Sequence, residues 1–233
     1  DNTLSRPLRG YGPKDRVDCI ITNPPFGGME EDGIETNFPK AFQTRETADL
    51  FLVLIIHLLK DGGRGAIVLP DGTLFGEGVK TRIKERLLKE CNLHTIVRLP
   101  NGVFNPYTGI KTNLLFFTKG EPTKDIWYYE HPYPPGVKSY NKTKPINIKE
   151  FKAEKKWWGK AARKKRKESE RAWKVPVKQV IDSGYNLDIK NPNTVEEDLG
   201  DPDELLAEYQ DAINTAAKLR DQLKDTLAQA LEK

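Results

Sequence analysis

Apolar and polar positions divide the chain into stretches of different periodicity. Val17 to Thr22 is a short β-branched run closed by Asn23-Pro24-Pro25, and it reads as a buried strand that stops at a sheet edge. From about residue 46 to 60, apolar residues fall nearly all round a helix, so that helix is expected to be buried. Residues 65–69 and 94–99 read as two further buried strands. Between them, Val79, Ile83, Leu87 and Leu88 keep the spacing of an amphipathic helix. Residues 114–118 and 126–129 make two more strands, expected as a hairpin across a Lys-Gly-Glu-Pro turn. Gly62-Gly63-Arg64-Gly65 reads as the turn from helix to strand. This order defines an α/β fold, the second half of a doubly wound sheet. Residues 28–45 form a polar loop, either a flap beside the first strand or a disordered insertion.

The pattern changes from His131. His131-Pro132-Tyr133-Pro134-Pro135-Gly136 reads as a loop leaving the domain. The stretch 152–174 is basic and includes Lys155, Lys156, Arg163, Lys164, Lys165 and Arg166, with Trp157, Trp158 and Trp173 interleaved. Cations among aromatics suit a nucleic-acid backbone and would position rather than read sequence. The same stretch also reads as a solvated helix docked through its tryptophans. Residues 175–182 and 185–188 form a small return element, followed by a polar linker, 190–203. Pro202-Asp203-Glu204 is a good helix start. Beyond it, Leu206, Tyr209, Ile213, Ala216, Arg220, Leu223, Leu227 and Ala230 repeat at three-four spacing, a coiled-coil seam that needs a partner helix from this chain or another subunit. The expected divisions are 1–135, 136–195 and 196–233.

Charge adds little in total, because 38 Lys and Arg against 34 Asp and Glu leave +4 unevenly placed. Cys19 and Cys91 lack metal-ligand spacing and read as buried free thiols in a reducing compartment. No signal peptide or membrane-length apolar run is evident, which points to the cytoplasm. His57, within the buried helix, reads as a satisfied core histidine.

The candidate chemistry lies in Asn23-Pro24-Pro25-Phe26. Carboxyl ends of strands are where α/β sheets hold ligands. The prolines fix the backbone, so the Asn23 side-chain oxygen and the Pro24 carbonyl become two aimed acceptors. Two acceptors suit a planar amino group and can stabilise positive charge developing on its nitrogen. Phe26 offers a face for stacking. The set fits methyl transfer to an amine, with no metal and no covalent enzyme intermediate. Taken alone, the four residues read equally well as a Pro-rich turn.

Asp18-Cys19-Ile20-Ile21-Thr22-Asn23-Pro24-Pro25-Phe26 resembles motif IV of S-adenosylmethionine-dependent amino methyltransferases. Asn2-Thr3-Leu4-Ser5, Ala48-Asp49-Leu50-Phe51, Gly62 to Gly72, Leu99 to Phe104 and Thr108 to Asn113 accompany it in order. Together they resemble the modification subunit of type I restriction-modification systems, over most of residues 1–120. The resemblance implies a site-specific adenine-N6 DNA methyltransferase acting on a flipped-out base. Asn23 and the Pro24 carbonyl would hold the amine, Phe26 would stack, and Pro25 would contribute to substrate binding. Phe104 or Tyr107 would supply a second aromatic, although Phe104 also reads as a core residue. Asn23 is the one cofactor-side residue expected here, because the family's Gly-rich S-adenosylmethionine loop lies upstream of motif IV and nothing in this sequence matches it. The chain therefore reads as a C-terminal portion, inactive by itself. The resemblance further implies double-stranded DNA, a specificity subunit and a second modification subunit as partners, leaves open whether a restriction nuclease subunit joins them, and implies a final antiparallel strand in the sheet. The rivals are an RNA or protein-glutamine methyltransferase and a non-catalytic fragment that binds DNA and subunits.

Overall fold

The computed structural model describes residues 2–159, 163, 165–194 and 202–231; for 202, 204, 205 and 228–231 it describes the backbone alone. The chain forms two compact units, residues 1–193 and 194–233.

In the first unit, β1 (Val17–Thr22) leads through a loop to α1 (Thr47–Leu58) and directly into β2 (Leu59–Pro70). Then follow α2 (Asp71–Phe75), α3 (Val79–Glu90), β3 (Cys91–Arg98), β4 (Thr112–Lys119) and β5 (Asp125–Glu130). After α4 (Lys152–Trp158) come β6 (Ala172–Pro176) and α5 (Val177–Asp182). The six strands form one sheet in the order β1-β2-β4-β3-β5-β6.

β1 and β2 are parallel, and β4 lies antiparallel between β2 and β3. The expected β4–β5 hairpin is therefore not formed. β5 pairs in parallel with β3 and antiparallel with β6. Alternation marked both segments as strands, but it carries no information about which neighbour each one takes. The antiparallel strand implied by the resemblance is β4, enclosed within the sheet. The glycine-rich turn is also relocated: it falls inside β2, where the register against β1 jumps from Val17↔Leu59 to Cys19↔Arg64. Gly62 makes that jump with φ of +79°. Gly65 sits opposite Phe117, and a Cβ there would stand 2.4 Å from the Phe117 ring.

One face of the sheet packs on α1 and α3. Leu50, Leu52, Val53 and Ile56 from α1, and Ile83 and Leu87 from α3, are fully buried with Ile67, Leu115 and Phe117. Each such side chain contributes about 2 kcal/mol of burial. Within this layer Asp49 is buried, donated to by Thr73 Oγ1 and by Lys80 Nζ at 2.6 Å. On the opposite face, Val97, Leu99 and Tyr129 pack against Phe116, Phe151 and Trp157. That cover does not reach β1, whose Ile21 is 79% exposed. Cys19 is exposed for the same reason, correcting its expected burial; Cys91 is buried, and burial pushes its thiol up to about 12.

The loop 28–45 is neither disordered nor free. Thr47 N donates to Gly28 O and Glu30 N to Arg45 O, while Phe38 is buried. Residues 172–182, from the basic extension, return to the sheet as β6 and α5. The second unit contains α6 (Pro202–Leu231). Of its seam, Leu206, Tyr209, Ile213, Leu223 and Leu227 are exposed. Among the described residues no helix is long and apolar enough to cross a membrane.

Candidate active site

The parallel strands β1, β2, β3 and β5 end on one edge of the sheet, and β4 begins there. Asn23 follows β1 directly, so the motif stands on this carboxyl edge. Pro24 is buried and anchors the turn, while Asn23 and Pro25 are exposed and Phe26 is half-buried. Gly27, with φ of +64°, turns the chain away, and Gly28 O accepts from Thr47 N at 3.1 Å. The amide of Asn23 is thus presented to solvent on a backbone fixed from both sides.

A second wall comes from the loop after β3. Phe104 meets Phe26 edge to face, with ring centroids 5.0 Å apart and planes at 72°. Of the two candidates for the second aromatic, Phe104 is the one brought to the motif; it is half-buried rather than a core residue. Tyr107 is 92% exposed, and Phe26 is not among its ring contacts. On the same edge, after β2, α2 starts at Asp71, whose Oδ1 accepts from Asn113 Nδ2 at 2.6 Å and whose N donates to Lys111 O. Asn113 is fully buried and its Oδ1 has no partner among the described residues.

Two anchors of this edge were not visible as such in the sequence. Glu30 accepts from Thr47 Oγ1 at 2.6 Å and from Asn2 Nδ2 at 2.7 Å, tying the loop after the motif to α1 and to the Asn2-Thr3-Leu4-Ser5 segment. Lys84, only 1% exposed, donates from Nζ to Leu74 O and Gly76 O and so closes the end of α2. Burial, reinforced by the nearby Lys80 charge, lowers its ammonium to about 8. An ordinary-looking lysine in an amphipathic helix gives no sequence signal for such burial.

The basic segment is divided. Lys155 and Lys156 on α4, and Lys165, are exposed. Arg166 is buried, its guanidinium over Trp157 at 4.6 Å and Trp158 at 4.5 Å, with Nη1 donating to Thr95 Oγ1 at 2.7 Å. Arg163 places Nη1 3.0 Å from His94 Nε2. Desolvation, with the two guanidiniums adding to it, lowers His94 to about 3 and keeps the imidazole neutral. Trp157 and Trp158 face Trp127, Tyr129 and Phe116, and Trp173 stacks on Tyr128. These tryptophans dock the segment on the sheet. Lys164 lies outside the described residues.

A six-stranded mixed sheet with an Asn-Pro-Pro-Phe turn at its carboxyl edge and a facing aromatic defines an amino-methyltransferase type of architecture. The chain belongs to the N-6 DNA Methylase family, whose model matches residues 1–200. It is 64% identical to the EcoEI type I restriction enzyme methylase subunit of Escherichia coli, over 99% of this chain and 47% of that protein. A crystal structure of a modification subunit of a candidate type I restriction enzyme from Vibrio vulnificus YJ016 superposes with a TM-score of 0.77 at 52% identity, over 84% of this chain and 42% of the other. The EcoKI M protein superposes with a TM-score of 0.70 at 27% identity, over 97% of this chain and 53% of the other. The chain thus spans about half the length of the relatives it matches.

Proposed function

We propose that this chain is the amine-binding half of an adenine-N6 DNA methyltransferase, working within a type I modification subunit. The observation that carries the reading is the Asn23-to-Phe26 turn on the carboxyl edge, faced by Phe104. Asn23 Oδ1 and the Pro24 carbonyl oxygen would accept the two N–H bonds of the target amine. That arrangement draws the nitrogen toward tetrahedral geometry and favours positive charge on it during attack. Phe26 would stack on the flipped base, with Pro25 beside it.

S-adenosylmethionine would supply an electrophilic methyl group. The residues present fit it on one side only: Asn23 is exposed at the edge beside β1, whose outer side and Ile21 are uncovered. An open strand edge presents unpaired backbone groups to which a further strand can add. The remaining cofactor contacts and the completing strands are assigned to the half of the relatives' length that this chain does not span.

DNA would meet Lys155, Lys156 and Lys165 through phosphates, with no base reading from these contacts. The exposed apolar seam of α6 suits helices of a specificity subunit, and sequence choice would belong to that partner. A second modification subunit and a nuclease subunit complete the proposed assembly, in the cytoplasm. The test uses the full-length protein with its specificity subunit, DNA and methyl-labelled S-adenosylmethionine. Label recovered as N6-methyladenine supports the reading; label only in RNA or protein glutamine overturns it.

A further inference from the structure

At a centroid separation of 5.0 Å, Phe26 and Phe104 leave no gap for a third ring. A base stacked between two rings needs about 7 Å, two contacts of about 3.5 Å each. A base held between the two rings therefore requires Phe104 to turn aside or move back, and the ring returns to a useful position only if the root of its loop stays fixed. The residue after Phe104 supplies that root. Asn105 Nδ2 donates to the carbonyl oxygen of Tyr140 at 3.2 Å, and Asn105 N donates to Gly102 O at 3.0 Å. The amide lies in a notch that exists because residue 102 is glycine: a Cβ there would stand 2.7 Å from Asn105 Nδ2, and Gly102 has φ of +75°.

Tyr140 is itself held. It is buried, and its hydroxyl donates to Glu150 Oε2 at 2.5 Å. Glu150 lies 3.8 Å from His131 Nε2, and His131 Nδ1 contacts Glu154 on α4. Tyr133, tilted against Tyr140 at 5.3 Å, donates from its hydroxyl to Asn101 O at 2.8 Å. Both ends of the loop root, Asn101 and Asn105, are thus bolted to one buried cluster, which in turn rests on the helix carrying Lys155 and Lys156.

We propose that Asn105 is a positioning residue: its hydrogen bond to Tyr140 sets where Phe104 stands, and thereby how well a flipped base is held against Phe26. This rests on the adenine-flipping reading above. The test places 2-aminopurine at the target position of a duplex and measures its fluorescence with the full-length protein and its specificity subunit. Wild type should give a rise as the base leaves the stack. Asn105→Ala should cut that rise and raise KM for DNA roughly three- to tenfold, the scale of one net hydrogen bond, with kcat and melting temperature near wild type. Asn105→Asp keeps the shape and loses the donor, so it should behave as Asn105→Ala. Gly102→Ala displaces the same amide but also strains a backbone held at φ of +75°, so it should show the same loss of fluorescence rise together with a lower melting temperature, and add little to the fluorescence defect of Asn105→Ala in the double variant. Asn105→Asp indistinguishable from wild type, or full additivity with Gly102→Ala, overturns the proposal while leaving the flipping reading intact. No rise with wild type overturns both.

Discussion

Phe26 and Phe104 come from different loops, one after β1 and one after β3, yet their rings meet edge to face 5.0 Å apart on the carboxyl edge of the sheet. The contact links the proposed amine clamp to the second wall of the site. Such pairs are worth about 0.5–1.5 kcal/mol beyond burial. Phe26→Ala and Phe104→Ala should each destabilise the fold modestly, and the double variant should fall short of their sum by about 1 kcal/mol in urea denaturation. In methylation assays of the full-length protein, both should raise KM for DNA.

Cations in the basic segment should separate by burial. Arg166→Ala removes a buried guanidinium in contact with both Trp157 and Trp158 and should lower stability by about 2 kcal/mol. Lys155→Ala with Lys156→Ala should leave the melting temperature unchanged and weaken DNA binding. A plot of log affinity against log salt should lose about 0.9 in slope for each phosphate contact removed. Fluorescence anisotropy across a salt series reads this directly.

Lys84 should make stability depend on alkaline pH. Burial, then the Lys80 charge, holds its folded value at about 8 against an ordinary 10.5. Between those values the unfolded chain binds the proton and the folded one does not, so this group makes stability rise with pH. Below pH 8 both states carry the proton and the full penalty of burying it remains. The stability difference between wild type and Lys84→Met, followed by urea denaturation from pH 7.5 to 10, should therefore move in favour of wild type as pH rises. A constant difference would show that Lys84 is not perturbed.

The elements were largely legible in the sequence, because Val17–Thr22 and Val79–Glu90 carry strong local patterns. Pairing was not: the same apolar run 126–129 suits a hairpin or a parallel partner, and the three-dimensional order settled on β3. The short strand Ala172–Pro176 was hidden by the basic residues around it. At the candidate site, the placement of Asn23, Pro24 and Phe26 at a strand end was legible because prolines constrain geometry locally. Phe104 could not be separated from Tyr107 by sequence, since only the folded loop places one ring inward. Arg166 looked like Lys165 in sequence, yet its planar guanidinium is buried against two indoles while the Lys165 side chain stays in solvent.

The central claim is that Asn23 and the Pro24 carbonyl hold an adenine amine. Its most direct measurement is N6-methyladenine formed in DNA by the full-length protein with its specificity subunit, wild type against Asn23→Ala. Asn23 is exposed, so the substitution should leave folding and subunit assembly intact. The expected result is a fall in kcat of roughly 100-fold or more, as for loss of one preorganised hydrogen-bonding group. Methylation by Asn23→Ala at the wild-type rate, with the complex assembled, would contradict the claim.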